Sequence, residues 1–314
     1  MSAPVFAGRH VLAAVTPTDA VEAVRDAFVE HARGRWVMPS KVYVDAPPDG
    51  DFRAMPAAGS GYAVLKWVTS FPGNPARGLP TVSGIVLLSD SRTGELRALL
   101  DAAAVTALRT GAAAVLAAET LALPDADEAA VIGCGVNGRA VARTFAERGR
   151  DVVLFDVRRD LAEAVAAELG GRGRVAGSLA EALAADVVAT VTPGREPVIG
   201  RGALRPGQHV SLMGADGPGK AEIELGELLA ARIVCDEWEQ AGHNGEIARA
   251  VSAGRLDRSG VAELGKVLLG EAEGRRSAQD ITVFDSTGLA IQDLAIAVAA
   301  YAKRDELDLP RLEL

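Results

Sequence analysis

The chain has 314 residues, 49% hydrophobic and only 4% aromatic, with 33 Lys+Arg against 42 Asp+Glu for a formal net charge of −9. That length accommodates two domains. The acidic balance, without a basic cluster, argues against nucleic acid and anionic membrane as partners, and no uninterrupted apolar run reaches about 18 residues.

MSAPVFAGRH has no charged-then-apolar leader pattern, and Cys134 and Cys235 are too few for a disulfide framework, so a cytoplasmic protein is expected. His10, His31, His209 and His243 show no ligand spacing, and no metal is expected. Residues 16–33 read as a helix, with Asp19 a candidate cap and Ala20, Val24, Ala27 and Phe28 at helical spacing. The period then shortens. Residues 41–45, 53–57, 62–70 and 81–89 read as strands separated by Pro- and Gly-rich turns, which suits an antiparallel sheet. Residues 98–123, opening with Leu99-Leu100-Asp101, read as a long Ala-rich helix, and the polar run 124–128 marks a domain boundary.

From Ala129 strands alternate with helices. The strands are 131–133, 152–156, 175–176, 186–192, 209–214, 233–236 and 281–286, with helical segments such as 161–169 and 179–185 between them. This alternation predicts an α/β fold with a parallel, doubly wound Rossmann sheet. Residues 288–303 form a final helix in which Leu289, Asp293, Ile296 and Ala300 share a face.

At the start of that second half lies Gly133-Cys134-Gly135-Val136-Asn137-Gly138, a G-x-G-x-x-G turn between a strand and a helix. Gly133 permits the tight turn, Gly135 lets the backbone approach a pyrophosphate, and Gly138 brings helix and strand close. Asp156 ends the next strand about 20 residues on, where an acid binds the adenosine ribose. The pattern predicts dinucleotide binding, with NAD favoured over NADP because Asp156 repels a 2′-phosphate.

A doubly wound sheet binds ligand beyond its strand ends. The strand end 190–194, with Thr192, and the glycine-rich loop carrying Asp216 belong there. An Asx-turn aspartate would look the same in sequence. Lys66 in an apolar strand and Arg109 on a helix are either solvated cations or, if both face the ligand, a clamp for a carboxylate.

Several motifs together carry a resemblance. Lys66–Asn74 (KWVTSFPGN), 78–81 (GLPT, with Thr81), 106–111 (TALRTG), 132–136 (IGCGV), 214–220 (GADGPGK), 263–265 (ELG) and 284–288 (FDSTG) stand in the order found in the ornithine cyclodeaminase/μ-crystallin family. The chain resembles that family, which includes archaeal-type alanine dehydrogenases and ketimine reductases, from about residue 41 to 301. The resemblance implies a homodimer. Residues 1–124, with the C-terminal segment 289–314 returning to them, would form the substrate-binding and dimerisation domain, and residues 125–288 the NAD-binding Rossmann domain. It also implies that Lys66, Arg109 and Thr81 bind substrate, that Asp216 and Lys66 are catalytic, and that Thr110, Val136, Asn137, Asp156, Thr192 and Ser286 lie near the cofactor.

Two positions depart from the family pattern. Lys41 stands where many members have a substrate-binding arginine, and Arg53 stands where ornithine cyclodeaminases carry a glutamate for the distal amine. The chemistry implied is hydride transfer at an α-carbon bearing nitrogen, on a small amino acid or imine. Arg53 favours an alanine dehydrogenase-like enzyme or ketimine reductase, because a cation repels a second ammonium. The alternatives are ornithine cyclodeamination to proline and ammonia, or a non-catalytic protein that holds nucleotide and ligand.

Overall fold

The computed structural model describes residues 2–194, 196–217 and 219–313. Contacts divide the chain into two units, Met1–Arg109 with Leu289–Leu314, and Thr110–Gly288. The division falls inside the helix Ala102–Leu121, ahead of the polar run at 124–128. From Thr110 onward that helix is part of the second unit. A Cβ on Gly111 would sit 2.5 Å from Thr144 Oγ1. Ser211 Oγ donates to the Ala114 carbonyl at 3.3 Å, and Arg275 Nε and Thr282 Oγ1 donate to the Leu121 carbonyl at 2.7 and 3.1 Å. The helix is as long and apolar as a membrane span, but 78% of that window is buried, as in a core helix.

The first unit is built on a sheet of seven strands among the described residues, in the order Arg311–Glu313, Ser2–Phe6, Leu96–Asp101, Val82–Asp90, Tyr62–Ser70, Gly50–Gly59, Val42–Ala46. Neighbours are antiparallel except Ser2–Phe6 with Leu96–Asp101. Alternation decides which side chains go inside. Met55, Ala57, Val64, Lys66, Val68, Val86 and Leu88 are buried on one face, where the helix Ala290–Ala302 packs, with Pro17–Ala32 against that helix.

Three elements of this unit differ from the sequence reading. Leu99-Leu100-Asp101 does not open the helix. It ends the strand Leu96–Asp101, paired with 85–89, and Asp101 Oδ1 caps the helix by accepting from Ala104 N–H at 2.7 Å. Thr16, not Asp19, is the N-cap of the first long helix. Its Oγ1 accepts from Asp19 N–H at 3.1 Å while Asp19 Oδ2 accepts from Thr16 N–H at 3.3 Å, a reciprocal box. The strands Ser2–Phe6 and Arg311–Glu313 pair with each other, a contact between chain ends that no local pattern announces.

The second unit holds an eight-stranded sheet among the described residues, in the order Ala262–Glu263, Arg232–Cys235, Thr282–Asp285, His209–Leu212, Val187–Thr190, Glu128–Ile132, Asp151–Phe155, Gly173–Val175. Every pair is parallel. This is the doubly wound α/β sheet the sequence predicts. Strands buried on both faces read as continuous apolar runs, and Ala130, Val131, Val153, Val188, Val210 and Val283 are fully buried. Strand order reverses between Glu128–Ile132 and Val187–Thr190, the switch point at which such sheets bind ligand.

Candidate functional site

In the second unit the glycine turn has the shape a pyrophosphate needs. Gly133 has φ +96°, and a Cβ there would lie 2.6 Å from the Val191 carbonyl oxygen. A Cβ on Gly138 would lie 1.7 Å from the Gly133 carbonyl oxygen, so the helix can approach the strand only with glycine at 138. On Gly135 a Cβ would meet nothing within 4 Å, which leaves room for a phosphate. The helix Val136–Glu147 starts at Gly135 without a side-chain cap. Its first-turn N–H groups are therefore available to an anion. Val136 (71% exposed) and half-buried Asn137 begin that turn.

Asp156 follows the adjacent strand. Its Oδ2 accepts from Cys134 N–H at 2.7 Å and its Oδ1 from Arg158 N–H at 2.8 Å. Each carboxylate oxygen retains a lone pair for a ribose hydroxyl. Arg159 is engaged with Glu163 at 2.8 Å. Burial and the Asp156 charge push the Cys134 thiol up to about 12, which disfavours the thiolate.

Two further strand ends belong to this unit, and both stop short of the sequence reading. Val187–Thr190 and His209–Leu212 end before residues 192 and 214 because their backbones turn onto a buried acid, Glu222. Glu222 Oε1 accepts from Thr192 N–H and Thr192 Oγ1, each at 2.7 Å, and Oε2 accepts from Gly214 N–H at 2.7 Å. Two residues on, Asp216 Oδ1 lies 2.5 Å from Lys220 Nζ, with both side chains 34% exposed. Pro218 of the same loop motif lies outside the described residues. Ser286 is buried with Oγ 3.5 Å from Asp236 Oδ2, and Thr110 Oγ1 is buried without a hydrogen-bond partner among the described residues.

Behind Glu222 stand Glu246, which accepts the Glu222 N–H, and Asp285, which accepts from Ile247 N–H at 3.0 Å. Burial pushes both carboxyls up to about 8; the charges of Asp285 and Glu222 add to it at Glu246, and those of Asp236 and Glu222 at Asp285. Burial also raises Glu222, against the donors that pull it down. Sequence reading missed this group. Asp285 lies in the quoted 284–288 motif, but Glu222 and Glu246 sit in unremarkable contexts.

In the first unit, Lys66 points to the inner face of the sheet and is 2% exposed. Its Nζ donates to Asp293 Oδ1 at 2.9 Å and lies 2.8 Å from Oδ2. Burial lowers the lysine to about 8, Asp293 pulls it back up, and the charges of Arg109 and Arg53 lower it further. Arg109 Nε lies 3.8 Å from Asp293 Oδ1. Asp293, fully buried, is a second residue the sequence reading did not single out as functional. An acid within the apolar stripe of the final helix was the available signal.

Arg53 shares the inner face. It pairs with Asp51 at 2.6 Å, stacks over the Tyr43 ring at 5.4 Å, and is only 13% exposed. Lys66 and Arg109 thus share one buried acid, and Arg53 on the same face has its own. Lys41 is half-buried just before Val42–Ala46, and Thr81 is exposed just before Val82–Asp90, its carbonyl accepting Phe71 N–H at 2.8 Å.

The model of the ornithine cyclodeaminase/mu-crystallin family matches residues 7–306. An alanine dehydrogenase of Archaeoglobus fulgidus is 42% identical over 308 residues, 96% of this chain and 95% of that protein. A solved archaeal alanine dehydrogenase dimer with bound NAD superposes with TM-score 0.94 at 40% identity, over 100% of this chain and 99% of that one. The Δ1-pyrroline-2-carboxylate reductase of Thermococcus litoralis, solved with NADH and L-proline, gives TM-score 0.90 at 29% identity, over 96% and 98%.

Proposed function

The chain belongs to the ornithine cyclodeaminase/mu-crystallin family, and from that premise we propose that it is an NAD-dependent enzyme transferring hydride, with net redox change, at the α-carbon of a small amino acid or imine, as an alanine dehydrogenase-like enzyme or ketimine reductase does. The observation that carries this reading is Lys66, a lysine held 2% exposed beside Arg109. Lys66 and Arg109 together carry one positive charge more than their shared acid Asp293 neutralises, an excess suited to a carboxylate ligand. The experiment is a panel of amino acids, 2-oxo acids with ammonia, and cyclic imines, assayed for both reduced nicotinamide and ammonia. Turnover of alanine or a cyclic imine with a change in nicotinamide absorbance is expected. Efficient ammonia release from ornithine with no absorbance change would overturn it.

The residues take the following roles. Gly133, Gly135 and Gly138, with the first-turn N–H groups at Val136 and Asn137, hold the pyrophosphate of NAD, and Asp156 the adenosine ribose. Thr110, Thr192 and Ser286 line the remainder of the dinucleotide. NAD, when bound, supplies the acceptor for the hydride leaving Cα. Lys66 and Arg109, assisted by Lys41 and Thr81, hold the substrate carboxylate, a positioning effect that can account for much of a barrier. Asp216 accepts a proton from the α-ammonium as the hydride leaves, releases it to solvent, and then accepts one from the water that adds to the imine.

Asp156 leads us to expect tighter binding of NAD than of NADP. Each of its oxygens is fixed by a backbone N–H, so the carboxylate cannot swing away from a 2′-phosphate. Fluorescence titration of both cofactors checks this, and equal affinity would refute it.

A second reading, ornithine cyclodeamination, has one observation in its favour. Asp51 neutralises Arg53 at 2.6 Å. Repulsion between a bare cation and a distal ammonium is about 4 kcal/mol at 4 Å and dielectric 20. Asp51 and solvent reduce it toward one tenfold step, about 1.4 kcal/mol. Arg53→Glu is therefore expected to raise kcat/KM for ornithine relative to alanine about tenfold. An unchanged ratio would place position 53 away from the substrate.

A homodimer is part of the same proposal. The outer face of the first unit's sheet exposes Val42 (56%), Val44 (49%), Trp67 (39%) and Ile85 (37%), with Phe52 stacked on Trp67. Register places these side by side, an apolar patch suited to a second copy. Buried, unpaired Cys134 and Cys235 fit a reducing cytoplasm.

A further inference from the structure

We propose that Glu222 is a positioning residue that registers the two strand-end loops carrying Thr192 and Asp216. The proposal rests on the roles given to those residues above. Loops beyond a sheet have no ladder to hold them, and here one carboxylate replaces it. One oxygen takes Thr192 N–H and Oγ1, the other takes Gly214 N–H, all at 2.7 Å. Glu222 is itself fully buried and strapped on both sides. Its carbonyl accepts from Val198 and Ile199 N–H at 2.8 and 3.0 Å, and its N–H donates to Glu246.

The space is closed as well. A Cβ on Gly214 would lie 2.1 Å from the Thr192 carbonyl oxygen and 2.6 Å from Glu222 Oε1. The loops therefore touch through a glycine at the point where the acid bridges them. Only a group with two acceptor oxygens satisfies donors from both. Glutamine, nearly isosteric, must turn an NH2 toward one of the backbone N–H groups and release that loop.

The test combines exchange with kinetics on the full chain saturated with NAD. In the wild type, Thr192 and Gly214 amides are expected to exchange as slowly as amides in the adjoining strands, although both lie outside the ladder. In Glu222→Gln, at least one of the two is expected to exchange tenfold or more faster. In the same variant kcat falls about ten- to a hundredfold, more than Kd for NAD rises, because Thr192 meets only part of the dinucleotide. A merely structural role would shift stability and leave that split absent. Rapid exchange of both amides in the wild type overturns the proposal without any variant, as does a kcat within about threefold of wild type in Glu222→Gln. The exchange readout does not depend on chemistry. Should Asp216 prove dispensable, the reading of the reaction fails and the clamp still stands or falls on the amides.

Discussion

Asp216→Asn is expected to lower turnover by about 10²–10⁴-fold, the usual contribution of a general acid–base group, with NAD affinity unchanged. The amide keeps the shape and can still accept a hydrogen bond from Lys220, but it cannot take a proton. In the native protein Lys220 Nζ lies 2.5 Å from Oδ1. Both side chains are one-third exposed, so the pair is weak enough to open to substrate. Cofactor titration by fluorescence, beside steady-state rates, separates binding from chemistry. A variant retaining more than about a tenth of wild-type activity would reduce Asp216 to a loop residue, well outside the range for such groups.

The second large effect concerns the buried pair Lys66–Asp293. Lys66→Ala is expected to destabilise the protein by up to about 3–5 kcal/mol, because it leaves the buried Asp293 carboxylate with only Arg109, 3.8 Å away, to compensate it. It is also expected to abolish substrate binding. Lys66→Met with Asp293→Leu replaces both charges by apolar groups of similar volume, a change that is often neutral or stabilising by about 1–4 kcal/mol. Arg109 then loses the acid 3.8 Å away, which tempers the recovery. Urea denaturation should thus place the double variant well above Lys66→Ala, while both remain inactive. If the double variant were no more stable than the single one, the burial cost would lie in packing rather than charge. If either were active, Lys66 would not be the carboxylate ligand.

The ion pair is also the clearest case of what sequence alone leaves open. Lys66 in the run Ala63–Val68 reads equally well as a solvated lysine, since alternation fixes that it shares a face with Val64 and Val68 but not which face is covered. The side is chosen by the final helix, whose Asp293 lies 227 residues away. Arg53 is similar. Pattern puts it on the same face as Met55, while its pairing with Asp51 two residues before is a matter of rotamer, not of spacing.

What the sequence determined by itself is the local part. The G-x-G-x-x-G turn, the acid ending the next strand, the apolar strand runs and the helical spacing of Ala20, Val24, Ala27 and Phe28 follow from period and from the conformations that only glycine tolerates. Such information lies within a few residues, and it sufficed for the doubly wound sheet and for the glycine turn. Tertiary structure alone decided three other things: the pairing of the two chain ends, the strand at Leu96–Asp101 in place of a helical turn, and the acid group around Glu222. Leu99 and Leu100 suit either conformation, and pairing with 85–89 settles it. Glu222 could not be recognised because burial gives a carboxylate its role, and burial depends on Thr192, 30 residues before it, and on Glu246, 24 residues after, arriving at the same point.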